Sequence, residues 1–148
     1  QLKENTMKIS ARNAFEGTIT ALVDGKVNAE VEVTTPGGDR IVAIVTEGSV
    51  AALGLAVGKP AIAYVKAPWV MVLAGAGGVK FSARNQLAGV VDSVQKGAVN
   101  SDVAIRLAGG ALVHAVITNE AVLELGLKPG VPACALIKAS HVVLGVPA

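Results

Sequence analysis

Between residues 27 and 34 apolar and polar side chains alternate, Val27, Ala29, Val31 and Val33 against Asn28, Glu30, Glu32 and Thr34. A period of two puts each set on one face of a half-buried strand. Val99, Ser101, Val103, Ile105 and Leu107 predict a second strand of the same kind. Gly25 and Gly97 each stand two residues before the alternation, where a hairpin turn or bulge is expected. Pro36-Gly37-Gly38-Asp39 predicts another turn, leading into Arg40–Thr46, whose β-branched residues suit a buried strand. The next stretch predicts a short helix with Thr46 as N-cap and Gly54 as its stop, and Thr118 to Gly126 repeats it. Ala61–Lys66 and Ala133–Lys138 predict closing strands.

These pairs belong to one internal repeat. Lys8-Ile-Ser-Ala-Arg-Asn13 returns as Lys80-Phe-Ser-Ala-Arg-Asn85, and Val27-Asn28 returns as Val99-Asn100. Gly37-Gly38, Thr46, Leu53-Gly-Leu55 and Lys66-Ala67 return as Gly109-Gly110, Thr118, Leu125-Gly-Leu127 and Lys138-Ala139. Each pair stands 72 residues apart, as Ser82 does from Ser10, so no insertion separates the copies. Two copies are too few for a solenoid, which needs three or more units to bury its faces. The reading is therefore two tandem domains, 7–75 and 79–148, joined through the small residues Ala74–Gly78. Met7 reads as a natural start, with residues 1–6 as an unexplained leader. Strand number and the single helix per copy predict an all-β fold with short helices: two tandem OB-fold-like five-stranded barrels. Each copy is near the size at which one core is marginal, so the halves are expected to pack together and the chain to oligomerise.

Composition narrows the function. Hydrophobic residues are 52% of the 148, charged residues 16% and aromatics 3%. A chain this apolar folds. Its longest charge-free apolar stretch, Ala67 to Val79, falls short of the roughly 20 residues of a spanning helix. The residues before Met7 lack the apolar core of a secretory signal, and the expected compartment is the cytoplasm. Cys134 is the sole cysteine, which excludes an internal disulfide or a cysteine zinc site. It stands opposite Ile62 and is expected to be a buried, inert thiol. A net charge of +2 makes no basic patch for nucleic acid. Nor does an aromatic platform repeat: Phe15, Tyr64, Trp69 and Phe81 face Leu87, Leu136, His141 and Ile9 in the other copy.

Catalytic chemistry finds little support. His114 and His141 occur in the second copy alone, opposite Val42 and Trp69, and read as partly exposed strand histidines outside any metal spacing. Paired carboxylates, a serine elbow and a phosphate loop do not recur, so no enzyme is expected. The repeated polar residues say more. If Ser-Ala-Arg-Asn opens a strand, Ser10 and Arg12 share a face and Asn13 takes the other. Should first and last strands lie side by side, Ser10, Arg12, Lys66 and backbone N–H groups converge. That is a donor-only cluster suited to a small dianion. The alternatives are solvated surface charges, an OB-fold nucleic-acid binder, or a purely structural oligomerisation module.

The Ser-Ala-Arg-Asn opening, the Gly-x-Val-Asn-x-(Glu/Asp)-Val hairpin and the Lys-Ala-(Pro/Ser)-x-Val ending resemble the molbindin, or Mop, family of molybdate-binding domains. Two copies in this length resemble its tandem, two-domain ModG type, over Met7 to Ala148. The resemblance implies OB-like modules assembled with threefold symmetry as a homotrimer. It implies molybdate or tungstate as the bound ligand, held between modules by amides and side chains without a protein–metal bond. No organic cofactor, nucleic acid or membrane partner is implied, and the role is molybdenum storage or homeostasis.

By position, the resemblance assigns Ser10, Ala11, Arg12, Asn13, Thr46, Lys66 and Ala67 to one interface site. Ser82, Ala83, Arg84, Asn85, Thr118, Lys138, Ala139 and Ser140 form its duplicate. Val27, Asn28, Val99, Asn100 and Ser101 fall to a second type of site at the threefold axis. Pro68 departs from the pattern: it stands where Ser140 does, offers neither hydroxyl nor N–H, and predicts two unequal interface sites.

Overall fold

The computed structural model describes residues 9–75 and 77–148; Met7, Lys8 and Ala76 of the expected domains and joint lie outside them. Each repeat opens with a long strand, β1 (Asn13–Asp24) or β6 (Asn85–Lys96). A hairpin follows, β2 (Asn28–Thr34) and β3 (Arg40–Thr46), or β7 (Asn100–Leu107) and β8 (Leu112–Thr118). Helices α1 (Glu47–Leu53) and α2 (Asn119–Leu125) lead to β4 (Pro60–Val65) and β9 (Pro132–Ile137). A single 3-10 turn, Ala67–Trp69 or Ala139–His141, then leads to a three-residue strand, β5 (Met71–Leu73) or β10 (Val143–Gly145).

The caps form as local chemistry requires. Oγ1 of Thr46 accepts from Ser49 N at 3.0 Å, and Thr118 does the same for Ala121 N. Gly54 and Gly126 stop the helices at φ 64° and 65°, a left-handed conformation that glycine adopts without Cβ strain. The alternating strands bury Ala29, Val31 and Val33, and likewise Val103, Ile105 and Leu107. Val27 and Val99 break the expected pattern: they precede their strands at the hairpin tips and are 72% and 70% exposed.

Two expectations about strand limits change. β1 and β6 begin at the asparagines, so Ser10 and Arg12 are not held on one face by strand alternation. β4 and β9 are not the last strands of their repeats. The strand after each was too short to read from periodicity, and it crosses over. The sheets are ordered β10-β4-β1-β2-β3 and β5-β9-β6-β7-β8, all antiparallel, so each takes four strands from one repeat and one from the other. Val143, Leu144 and Gly145 pair with Tyr64, Ala63 and Ile62 of the first repeat, while Met71, Val72 and Leu73 pair with Leu136, Ala135 and Cys134 of the second.

Each sheet curls because its longest strand serves two partners. β1 pairs with β4 along residues 13–18 and with β2 along 18–24, and a register shift between Ile19 and Ala21 bends it. β6 shifts at the equivalent place, between Val91 and Ser93. Buried side chains of both repeats, among them Ile19, Val31, Ile41, Val103, Ile105 and Ile137, form one continuous core.

Residues at the same repeat position meet across the interface, which marks a local twofold relation. The turns holding Gly37 and Gly109 touch, and Asp39 caps the second turn by accepting from Gly109 N at 2.8 Å and Ala111 N at 3.0 Å. A Cβ on Gly37 would overlap the carbonyl oxygen of Gly109, and one on Gly109 would lie 2.6 Å from Oδ2 of Asp39. Gly37→Ala is therefore expected to cost about 1–3 kcal/mol through overpacking against backbone, read as a shift in the urea midpoint. Gly38→Ala is strained by its own φ of 97° but meets no neighbour, so it leaves the inter-repeat contact in place.

Candidate anion site

The two Ser-Ala-Arg-Asn segments sit where one repeat joins the other. Asn13 and Asn85 are buried, and their amides take the place of a backbone partner. Oδ1 of Asn13 accepts from His114 N at 2.7 Å, and its Nδ2 donates to His114 O at 2.8 Å. Oδ1 of Asn85 accepts from Val42 N at 2.8 Å, while Nδ2 donates to Val42 O at 2.8 Å and Ile137 O at 3.3 Å. Each asparagine thus lengthens the hydrogen bonding of its own first strand onto β8 or β3 of the other repeat.

One residue earlier, the arginines also reach across. Nε of Arg12 donates to Oδ2 of Asp102 at 3.0 Å. Arg84 holds both oxygens of Glu30, Nε to Oε2 at 3.0 Å and Nη2 to Oε1 at 2.7 Å. The hydrogen-bonded Glu30 carboxylate raises the Arg84 guanidinium above its ordinary pKa. The expectation of a donor-only cluster is corrected here, because a carboxylate stands in each. Glu30 and Asp102 occupy the same repeat position, and their preserved acidity opposite a repeated arginine was the available signal. Alternation along the strand had read them as solvent-facing.

Lysines and 3-10 turns complete the two clusters. Asn13 pairs with Val65 and Asn85 with Ile137, so Arg12 and Lys66, and likewise Arg84 and Lys138, leave their ladders side by side. The first strand of each repeat thus lies beside the strand predicted to close it, β4 or β9, though neither is the last of its repeat. The turn carrying Pro68 packs against β8, and the turn carrying Ser140 packs against β3. Pro68 therefore belongs with Ser10–Asn13, and Ser140 with Ser82–Asn85. Ala67 and Ala139 are buried, whereas Ser10, Ser82, Ser140, Lys66 and Lys138 are exposed. Nζ of Lys66 lies 5.6 Å from the Trp69 ring centroid, and that ring meets His141 at 4.9 Å with the planes tilted by 41°.

An open cleft of about 370 Å³ gathers Asn28, Thr46, Ser49 and Ser140 over an apolar floor that includes Val142 and Leu144. Within one chain Thr46 is thus brought to the ending of the second repeat, not grouped with Ser10–Asn13 of its own. Its hydroxyl is shared with Ser49, donating to that Oγ at 3.0 Å.

The hairpin residues take other positions. The carbonyls of Val27 and Val99 accept from Glu47 N and Asn119 N, and Gly25 N and Gly97 N donate to the carbonyls of Asn28 and Asn100. The side chains of Asn28 and Asn100 are exposed at the tips. Ser101 is buried, and its hydroxyl donates to Oδ1 of Asn119.

His114 lies on β8 with Nδ1 2.9 Å from Oδ1 of Asp102, and His141 lies in a 3-10 turn, not a strand. Cys134 is half-buried on β9, and burial pushes its thiol up, in keeping with an unreactive side chain. Among the described residues no group of three or more histidine, cysteine or acidic side chains is placed to hold a metal ion, and no helix is long and apolar enough to cross a membrane.

Comparison with known proteins identifies the family. Residues 9–72 and 82–144 each match the TOBE domain. The chain is 43% identical over 142 residues to the molybdenum-pterin-binding protein MopA of Rhodobacter capsulatus, covering 96% of this chain and 54% of that protein. It is also 43% identical over 141 residues to the molybdenum transport protein ModE of Azotobacter vinelandii, covering 95% of this chain and 52% of that one. The chain thus spans about half the length of the curated relatives it matches. A crystal structure of the cytoplasmic molybdate-binding protein ModG with molybdate bound superposes with a TM-score of 0.90. That protein is 53% identical, and the match covers 95% of this chain and 100% of that one.

Proposed function

The chain belongs to the TOBE domain family, in two tandem copies, and from that premise we propose that it binds molybdate or tungstate in the cytoplasm as a storage or homeostasis protein without catalytic turnover. The observation that carries this reading is the full-length likeness to ModG, whose crystals held molybdate. The clusters supply suitable chemistry: Ser82, Arg84, Lys138 and Ser140 in one, Ser10, Arg12 and Lys66 in the other, with N–H groups of the non-strand segments. Asn13 and Asn85 act by fixing those segments, since their amides are already bonded.

Oxygen atoms of the anion would accept from these donors, and no bond to molybdenum is needed. Molybdate near neutral pH carries no proton, whereas monohydrogen phosphate would bring an O–H; with the Glu30 and Asp102 carboxylates turned to Arg84 and Arg12, that O–H would meet the remaining donors, an unmatched contact costing about 1–3 kcal/mol when buried. Sulfate must be rejected by its smaller size.

A homotrimer is part of the proposal. Helices α1 and α2 contain no buried residue, and Leu53 and Leu123 on the helices and Val27 and Val99 at the hairpin tips stand exposed. Threefold packing would cover them and close the open cleft between chains, with Val27-Asn28 and Val99-Asn100 around the axis. Transcriptional regulators also occur among the relatives, including a DNA-binding one from Escherichia coli that the chain matches at 33% identity over 52% of its length. Neither basic charge nor an aromatic platform supports nucleic-acid binding by the matched portion.

Isothermal titration of anion-stripped protein tests the reading. More than one molybdate per chain, with sulfate and phosphate silent, is the expected result; silence for all three would leave only a structural scaffold. Ser140→Ala is expected to weaken one class of site about tenfold, the loss of a hydrogen bond to a charged ligand. The class next to Pro68 should not respond.

A further inference from the structure

We infer that Glu30 and Asp102 are the residues that set the strength of the two anion sites, acting as built-in counter-anions to Arg84 and Arg12. The inference rests on the reading that these clusters hold the dianion. Each arginine stands beside a lysine, so a cluster of these two cations alone would present two positive charges. The carboxylate cancels one of them. A dianion arriving at Arg84 meets a guanidinium whose Nε and Nη2 are already engaged by Glu30, and it faces a like charge within the same cluster. Releasing a stored anion requires a moderate affinity, and this arrangement lowers affinity while keeping the arginine in the cluster.

The two counter-anions do not act equally. Glu30 gives both oxygens to Arg84, at 3.0 and 2.7 Å. Asp102 gives Oδ2 to Arg12 and is shared, because Oδ1 lies 2.9 Å from Nδ1 of His114. At the repeat position of His114 the first copy has Val42, which cannot share Glu30. Arg12 is therefore the less neutralised arginine. This difference is separate from Pro68, which removes a hydroxyl from the Arg12 cluster and opposes the gain in charge.

The test is titration of the full, anion-stripped chain with sodium molybdate at low and high salt. Glu30→Gln and Asp102→Asn are each expected to tighten one class of site about fivefold at low ionic strength, the effect of one unit charge at contact distance. The gain should shrink as salt rises, which a purely structural change would not do. Glu30→Asp and Asp102→Glu keep the charge and should tighten binding less than the corresponding amide variants do. His114→Val places the first copy's residue in the second and frees Asp102 for Arg12; it should weaken that class about twofold.

Unchanged or weaker binding in both amide variants, with melting temperatures intact, would overturn the inference. Should an amide variant fail to fold, indifference of molybdate affinity to His114→Val would overturn it as well. No molybdate uptake by the unaltered chain would overturn the underlying reading itself; uptake with charge-insensitive affinity defeats the counter-anion role alone.

Discussion

A chain ended at Val142, lacking residues 143–148, is expected to lose stability in its first repeat, not only in the repeat that was shortened. β10 lies against β4, with Leu144 opposite Ala63, and Leu144 is 8% exposed within the common core. Removing a buried leucine costs about 2–5 kcal/mol, and the loss of three paired residues leaves β4 as an open sheet edge. Against a usual total of about 5–15 kcal/mol, this is a large share. At about 2–4 °C per kcal/mol for a chain of this size, the melting temperature should fall by roughly 5–15 °C. Amide exchange is the discriminating measurement. Protection at Ile62–Tyr64 should drop even though those residues lie far from the cut in sequence. Loss confined to β9 would mean that the terminal strand stays with its own repeat in solution.

Asn85→Ala is the second large effect. The side chain is 2% exposed and makes three hydrogen bonds, two to Val42 and one to Ile137. Alanine would leave the Val42 N–H and C=O buried without partners, at about 1–3 kcal/mol for each unsatisfied group. A total of about 2–4 kcal/mol is expected, seen as a lower urea midpoint with an unchanged slope. Asn85→Asp should be worse, because the oxygen replacing Nδ2 would face the carbonyls of Val42 and Ile137. A cost below about 0.5 kcal/mol for alanine would show that water reaches Val42 and that the asparagine is no inter-repeat clasp.

Much of the candidate site was visible as repetition. The same polar side chains recur at one constant spacing, so Ser-Ala-Arg-Asn and Lys-Ala stood out from the sequence. Their partners did not. Asp102 and Glu30 looked like the solvent side of an alternating strand, because alternation reports which face a residue takes and not which chain segment covers that face. The asparagines, drawn from the resemblance as ligands, spend their amides on β3 and β8. That use depends on a second segment lying within 3 Å, which no local pattern records.

The sequence by itself determined the duplication, the strand alternation, the turns and both helix caps, since each depends on residues within a few positions of one another. It also repeated Arg12, Glu30 and Lys66 of the first copy as Arg84, Asp102 and Lys138 of the second. Tertiary structure alone decided that the short last strands trade sheets and that each arginine meets the other repeat's carboxylate. The physical reason lies in the duplication. β5 and β10 are near-equivalent, and so are the edges of β4 and β9, so local pairing chemistry is satisfied almost equally by either partner. Packing of the whole chain breaks that near-degeneracy: with Gly37 against Gly109 and Trp69 against His141, each 3-10 turn lies over the opposite repeat and delivers its strand there.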